Sequence, residues 1–246
     1  MVYGDQADRT RSRTASLRRW RQLRVWPQWR RSIILSLYSH CKFFFALSCN
    51  TFVLLNRVMS VYVPLLVDRG DNMYYYGIDE SSDANDMRFQ RTFEDVYTQP
   101  ELQIPWYVIA GNHDWRGNVQ AQIDYTALSE RWNFPDYKHA HKFSWQEGEQ
   151  TLEVEVLMID TTQLSGMGPD VSPDHPLYFS QPTGPLNATL SLETYSWLEE
   201  KMAASTADYL WVAGHYPVYS ACPHGGTQSL LDNLKPMLDQ YEGHYM

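Results

Sequence analysis

The stretch from Trp106 to Asp114 reads WYVIAGNHD, which is five apolar residues followed by a glycine and three polar side chains. A short apolar run rich in β-branched and aromatic residues predicts a buried strand. Gly111 ends that strand and allows the chain to turn sharply. Asn112 and His113 then stand at the strand end, where side chains of this kind bind metal ions or phosphate groups. The sequence therefore predicts a ligand-binding loop at this edge of a sheet.

The same order of strand, glycine and polar side chain occurs twice more in the chain. Val61–Val67 runs into Gly70 and Asp71, and Tyr209–Ala213 runs into a glycine and His215. Because ligands gather at strand ends in open α/β sheets, we expect the three loops to converge at one rim. Taken alone, Asp71 and Asn72 are better explained by a simple turn.

Together these loops resemble those of the metallophosphoesterases, and within that group those of the purple, or tartrate-resistant, acid phosphatases. The resemblance runs from about Gly70 to about Tyr241. Its discriminating residue is Tyr74, since a tyrosine three positions after Asp71 marks the purple acid phosphatases. Further matching segments are DNMYYYG at 71–77, RFQRTFEDV at 88–96, RWNFP at 131–135 and GHYPV at 214–218.

The resemblance implies a binuclear metal centre of Fe3+ with Fe2+ or Zn2+. Position by position, Asp71 would bridge the two ions and Tyr74 would bind the ferric ion, while Asn112 and His215 would bind the divalent one. Carboxylate and phenolate oxygens suit a hard trivalent ion, whereas imidazole and amide oxygen suit a divalent one.

His113 and His224 are the catalytic histidines that the resemblance implies, both close to the substrate phosphate. For His224 an exposed loop position is the alternative. The implied reaction is hydrolysis of phosphate monoesters at acid pH by metal-activated water, with a protonated histidine serving the leaving group. Two alternatives stay open: an inactive metallophosphoesterase fragment, and a metal-dependent phosphodiesterase.

Two loops of the family pattern have no counterpart that we recognise in this sequence. One is an early strand that ends in a metal-binding aspartate, and the other is a late Gly-His-x-His segment. Gly243 and His244 lie in the approach to that late loop, so His244 is interpreted as not a ligand. We therefore expect a chain that is truncated at its C-terminus and aberrant at its N-terminus. Such a chain would bind metal weakly and turn over phosphate esters poorly.

The fold that the resemblance implies is a four-layer α/β sandwich, incomplete in this chain, in which helices flank two packed sheets. Pattern alone gives only an α/β or α+β class. We divide the chain into a basic and apolar segment at 1–60 and a metallophosphoesterase domain at 61–246. Helices are expected at 86–98, after a cap at Ser191 and from Thr227.

Other side chains have simpler interpretations. His139 and His141 form a His-x-His pair without a preceding strand and glycine, and we expect both at the surface rather than at a metal. Tyr75 and Tyr76 are interpreted as packing or rim aromatics rather than catalysts. Asp114 is expected to orient the loop or His113 rather than to bind metal.

Charge is divided unevenly along the chain. Residues 1–60 carry 11 basic and 2 acidic side chains, whereas residues 61–246 carry 9 basic and 27 acidic ones. The acidity of the second region argues against nucleic-acid binding there. Basic residues before apolar blocks at 33–35 and 43–47 resemble a signal segment or anchor, but the blocks are short and interrupted. We favour a solvated basic tail, or sequence that is not natural coding sequence, over a membrane anchor.

The cysteines imply no disulfide framework, because two of the three, Cys41 and Cys49, lie in the N-terminal segment. By resemblance, mammalian relatives pair two cysteines at the positions of Ser165 and Ser229. Asn187 opens a glycosylation sequon. The family resemblance implies a secreted, lysosomal or vacuolar location, although no signal segment is clear. The implied substrates are small phosphate monoesters or phosphoproteins, without nucleic-acid partners.

Overall fold

The computed structural model of the protein describes residues 53–54, 66–168, 180–220 and 225–245. His224 and almost all of the segment 1–60 lie outside these residues. The described strands are β1 (Val53–Leu54), β2 (Leu66–Asp68), β3 (Trp106–Val108), β4 (Trp132–Asn133), β5 (Lys138–Glu147), β6 (Gln150–Ile159), β7 (Tyr209–Ala213) and β8 (His244–Tyr245).

These strands form two four-stranded sheets. The first has the order β1-β2-β3-β4, in which β1 is antiparallel to β2 and the other pairs are parallel. The second has the order β5-β6-β7-β8, in which the β5–β6 hairpin is antiparallel and the other pairs are parallel. Since β2 and β3 are parallel neighbours with Asp68 opposite Val108, the loops that follow them leave the same edge of the first sheet.

Helices lie between the strands in the chain. They are α1 (Met87–Phe89), which continues as a π-helical turn (Gln90–Glu94), α2 (Val119–Asp124), α3 (Thr161–Ser165), α4 (Ala188–Ala204) and α5 (Gln228–Gln240). Single 3₁₀ turns occupy Pro100–Leu102, Asp114–Arg116 and Tyr125–Ala127. Thr227 precedes α5, as the sequence predicts, and Pro236 lies inside the helix. The cap of α4 differs from the prediction: Asn187 caps it, and Ser191 is buried within the helix.

Two apolar cores separate the layers. Along β6, Val154, Val156 and Met158 belong to a core shared with the first sheet and with α1 and α2. Leu157 and Ile159 point the other way and pack with α3, α4 and α5. Alternation along one strand thus buries both faces of the second sheet, as expected for a sheet covered on each side. This arrangement of helices and two sheets confirms the predicted α/β sandwich. Within the described residues, no helix is long and apolar enough to cross a membrane.

Candidate metal centre

The loops after β2 and β3 approach each other more closely than side chains would allow. A Cβ at Gly70 would lie 2.4 Å from the backbone nitrogen of Gly111, and one at Gly111 would lie 2.4 Å from the backbone nitrogen of Asp71. Gly70 also has a φ of +96°, which favours glycine. The two glycines that end the predicted strands therefore allow the two loops to meet at backbone contact.

Asp71 lies at the centre of the site. It is only 5% exposed, and its φ of 59° turns the chain so that the carboxylate faces the neighbouring loops. Oδ2 accepts a hydrogen bond of 2.7 Å from the Tyr74 hydroxyl. Oδ1 accepts from the backbone N–H of His113 at 3.0 Å and lies 3.4 Å from Nε2 of His215. One carboxylate oxygen thus faces Tyr74 and the other faces His215.

His215 approaches from the loop after β7. Its Nδ1 lies 2.9 Å from the Arg69 carbonyl oxygen, which can only accept, so Nδ1 carries the donated hydrogen. In the neutral ring Nε2 then presents a lone pair. That lone pair faces Oδ1 of Asn112 at 2.9 Å and Oδ1 of Asp71. A backbone carbonyl that fixes the second ring nitrogen is typical of histidines that bind metal.

The donor set fits a cation on this side of Asp71. Imidazole nitrogen, amide oxygen and carboxylate oxygen converge with no hydrogen atom between them when His215 is neutral. A divalent cation would satisfy all three acceptors and suits these ligand types. On the other side, Tyr74 and the second oxygen of Asp71 supply two oxygens that suit a harder ion. Within the described residues, no three histidine, cysteine, aspartate or glutamate side chains form a metal-binding group.

Asp114 and Gln122 hold the loops together from beneath. The Asp114 carboxylate accepts from the backbone N–H groups of Gly111 (2.8 Å), Asn72 (3.0 Å) and Met73 (3.0 Å), and from the Gln122 side chain (3.0 Å). Gln122 in turn accepts from the Asn72 amide at 3.0 Å. Asp114 and Gln122 are both fully buried. These contacts support the prediction that Asp114 orients the loop.

His113 lies beside Tyr74, with 4.5 Å between the ring centroids. Its Nδ1 is 2.8 Å from the carbonyl oxygen of Tyr75 and therefore donates to it. The remaining nitrogen, Nε2, is the one left to meet a substrate. The structure thus brings together Asp71, Tyr74, Asn112, His113 and His215, while His224 lies outside the described residues.

Burial shifts the titration of the carboxyl groups under the site. Desolvation raises the pKa of Asp68 to about 7, and the neighbouring Asp114 carboxylate adds to that rise. Desolvation likewise raises the pKa of Asp114, although its hydrogen bonds oppose the shift. Burial also raises the pKa of Tyr216, which follows His215, to about 12. The floor of the site is therefore poorly solvated, and its carboxyl groups are held closer to their neutral form.

Sequence reasoning assigned no role to three groups that shape the site. Gln122 lies on α2. The only sign of its role in the sequence is an amide side chain between two apolar residues. Arg88 donates to the carbonyl oxygens of Tyr74 (2.6 Å) and Gly77, and so clamps the 74–77 loop. The Arg69 carbonyl orients His215, a role that no sequence pattern reveals because any residue could supply it.

The expectation that His139 and His141 lie at the surface is wrong for His139, which is 7% exposed. Its Nε2 donates to the Val108 carbonyl oxygen at 2.9 Å, and its Nδ1 lies 2.7 Å from Nε2 of His141. The hydrogen bond from His139 to the Val108 carbonyl joins β5 of the second sheet to β3 of the first. The pair is thus a structural link between the sheets.

Comparison with known proteins identifies the family of the chain. The family model described as calcineurin-like phosphoesterase matches residues 62–243. The chain belongs to the calcineurin-like phosphoesterase family. Tartrate-resistant acid phosphatase type 5 of Rattus norvegicus is 43% identical over 72% of this chain and 51% of its own length. The Homo sapiens protein of that name is 41% identical over the same shares. Purple acid phosphatase 7 of Arabidopsis thaliana is 29% identical, again over 72% and 51%.

A solved structure shares the phosphoesterase fold. It is described as GAP50, the anchor in the inner membrane complex of Plasmodium. The TM-score is 0.57 at 22% identity, over 73% of this chain and 53% of the other. At this identity the likeness concerns the fold alone. The chain spans about half the length of the curated relatives it matches.

Proposed function

We propose that this protein hydrolyses phosphate monoesters at acid pH with a binuclear centre of Fe3+ and Fe2+ or Zn2+. The observation that carries the proposal is the convergence of Oδ1 of Asp71, Oδ1 of Asn112 and Nε2 of His215. Carboxylate oxygen, amide oxygen and imidazole nitrogen are ligand types that suit a divalent cation, so their convergence favours a cation among them. The similarity to acid phosphatases supports the same conclusion.

Each side chain has one role in this proposal. Asp71 would bridge the two ions, because its two oxygens face opposite sides of the pocket. Tyr74 would hold the ferric ion, and Asn112 and His215 the divalent one. When bound, such a centre supplies Lewis-acid activation of water and of the phosphoryl group.

Proton transfer to the leaving group falls to His113. The Tyr75 carbonyl holds Nδ1 of His113 as a donor, so Nε2 is the atom that would carry a proton to the departing oxygen. Water supplies the hydroxyl group of the released phosphate, and the leaving group departs as an alcohol. His224 is proposed as a second histidine near the phosphate on the basis of the resemblance alone.

A second candidate is a family member that binds metal weakly and turns over poorly. It is favoured by the ligand count: within the described ranges only Asp71 and Tyr74 face the ferric side. Metal content measured alongside turnover separates the two candidates. Tight binding of two ions with rapid turnover supports the phosphatase, whereas loose binding with slow turnover supports the second candidate.

The proposed substrates are small phosphate monoesters or phosphoproteins. The excess of acidic side chains in residues 61–246 supports the absence of a nucleic-acid partner, because like charges repel. A secreted, lysosomal or vacuolar location is proposed from the resemblance, and the Asn187 sequon agrees with it.

The direct test is phosphate release by the purified chain after reconstitution with iron and zinc, from monoester and diester substrates between pH 4 and 8. We expect metal-dependent hydrolysis of the monoester. Asp71→Asn and His215→Ala should each reduce it by on the order of 100-fold or more. The exposed Asp136→Asn is the matched control and should leave it unchanged. Hydrolysis of only the diester would indicate a phosphodiesterase, and hydrolysis of neither would contradict the proposal.

A further inference from the structure

A polar groove with a volume of about 550 Å³ opens beside the π-helical turn that follows α1. Gln90 and Glu94, the first and last residues of that turn, both line it. Turns of this type are rare and are often found at functional sites. The volume lies within the range of small-molecule sites, so the groove is large enough to hold a ligand.

The groove lies at the opposite end of the first sheet from the candidate metal centre. Two of its lining residues, Gln103 and Arg131, come shortly before β3 and directly before β4. The Trp106 N–H donates to the Arg131 carbonyl oxygen at 2.6 Å, so the starts of these two strands are neighbours. Because β2, β3 and β4 are parallel and the metal loops follow β2 and β3, the groove is a separate site.

The floor of the groove is an ordered ion pair between Glu94 and Arg131. Glu94 also accepts from the hydroxyl groups of Ser129 at 2.6 Å and Tyr125 at 3.0 Å. Arg131 is 10% exposed and donates to the Tyr97 carbonyl oxygen at 2.6 Å. Desolvation acts to raise the pKa of Glu94, but the hydrogen bonds outweigh it and the pKa is lowered. Glu94 is therefore ionised, and it neutralises the charge of Arg131.

The two glutamines of the lining present oxygen atoms rather than N–H groups. Nε2 of Gln103 donates to the carbonyl oxygens of Tyr97 at 2.8 Å and Gln99 at 3.2 Å, which uses both of its hydrogen atoms. Nε2 of Gln90 donates to the Asp95 carboxylate at 2.5 Å. The amide oxygens of both side chains are left as the groups that can meet a ligand. The lining is therefore rich in hydrogen-bond acceptors.

Charge and apolar surface in the groove narrow the class of ligand further. Glu130 is exposed and adds a carboxylate to the lining. Since Glu94 already balances Arg131, the groove as a whole carries excess negative charge. Leu128 is 57% exposed and supplies an apolar wall. A matching ligand is a cation that donates hydrogen bonds and also has an apolar stem.

We propose that this groove binds a small linear polyamine, in which ammonium groups are joined by methylene chains. An ammonium group has three donors and no acceptor, so it complements the amide oxygens of Gln90 and Gln103 and the carboxylate of Glu130. The methylene chain lies against Leu128 while the charged groups stay at the polar lining. This inference does not depend on the proposed function, because the groove and the metal centre lie at opposite ends of the strands.

The test is calorimetric titration of spermidine into the full metal-loaded chain in about 150 mM NaCl, which screens long-range attraction to the acidic surface. The wild type should bind spermidine at one site and should not bind triethylene glycol, a chain of similar length without ammonium groups. Leu128→Lys should weaken spermidine binding at least tenfold through like-charge repulsion. Leu192→Lys adds the same charge at an exposed leucine (70%) on α4, outside the groove, and should bind as the wild type does.

Glu130→Gln tests the charge contact itself. Loss of one exposed charge contact should weaken spermidine binding about two- to fivefold. The exposed Glu149→Gln, which removes a carboxylate outside the lining, is the matched control and should have no effect.

Three results would overturn the polyamine site. Absence of saturable spermidine binding would show that the groove takes no such ligand. Equal weakening by Leu128→Lys and Leu192→Lys would reduce the binding to general attraction by an acidic protein. Equal affinity for triethylene glycol would show that the ammonium groups are not recognised. Metal binding measured on Leu128→Lys should match that of the wild type, so failure of the groove and failure of the metal centre are distinguishable.

Discussion

Gly111 lies so close to Asp71 that a methyl group on it would sit 2.4 Å from both the backbone nitrogen and Oδ1 of Asp71. The same methyl group would lie 2.9 Å from Cε1 of His215. All three atoms belong to residues that the proposal places at the metals. Gly111 is therefore required by space as well as by backbone freedom, and its replacement should disturb the site directly.

Gly111→Ala should weaken Zn2+ binding at least tenfold and lower the free energy of unfolding by about 1–3 kcal/mol, because the clash forces Asp71 and His215 apart. Metal titration and chemical denaturation measure the two effects. Gly168→Ala is the matched control, since a Cβ there meets nothing within 4 Å. Unchanged metal affinity in Gly111→Ala would show that the loops do not form the pocket described.

Asp114→Asn should destabilise the protein by about 2–3 kcal/mol. An amide cannot accept from all four donors that converge on Asp114, and its NH2 group would face an N–H. Urea unfolding followed by tryptophan fluorescence measures the change. The exposed Glu149→Gln controls for loss of one carboxylate and should have little effect. A loss below about 0.5 kcal/mol for Asp114→Asn would contradict the role assigned to this network.

The histidine pair between the sheets predicts acid sensitivity. Burial lowers the pKa of His139 to about 3 and that of His141 to about 4. Both groups have a pKa near 6.5 in the unfolded chain, so below that pH the unfolded state binds protons that the folded state excludes. Their contribution to stability is therefore complete above pH 6.5 and is lost as the pH falls toward 4.

His139→Gln should isolate this effect, because Asp68 and Asp160 act in the opposite direction. The pKa of each of these buried carboxyls is raised to about 7, so their protonation stabilises the folded state as the pH falls. The slope of unfolding free energy against pH between 4.5 and 6 should decrease in the variant by up to about 1.4 kcal/mol per pH unit. Identical slopes for wild type and variant would refute the buried-pair explanation.

Ser165 and Ser229 lie close enough to test the disulfide that the resemblance implies for mammalian relatives. The Ser229 hydroxyl donates to Oγ of Ser165 at 2.8 Å, joining α5 to α3. S165C/S229C should form a disulfide under oxidising conditions and raise stability by about 2–4 kcal/mol, since the bond closes a long loop. Peptide mass mapping and unfolding measure both effects, with Ser165→Cys as the single-thiol control. Two free thiols in the oxidised double variant would contradict this geometry.

Local sequence signals predict the strand-end loops, because an apolar run, a glycine and a polar group lie within a few residues of one another. The start of α5 after Thr227 is local in the same sense. The cap of α4 is harder, since Asn187 and Ser191 are both good capping residues and packing decides between them. The burial of His139 could not be predicted from the sequence, because its hydrogen-bond partner, the Val108 carbonyl, lies on the other sheet. The contacts of Gln122 and Arg88 depend likewise on groups distant in the chain.

The central claim is that Asp71, Tyr74, Asn112 and His215 surround one cation pocket, and the visible absorption spectrum of the iron-loaded chain tests it most directly. A tyrosine phenolate on Fe3+ gives a charge-transfer band that colours the protein. We predict that the wild type and Tyr75→Phe show this band and that Tyr74→Phe does not. A wild-type spectrum without the band, or a band that survives in Tyr74→Phe, would contradict the account.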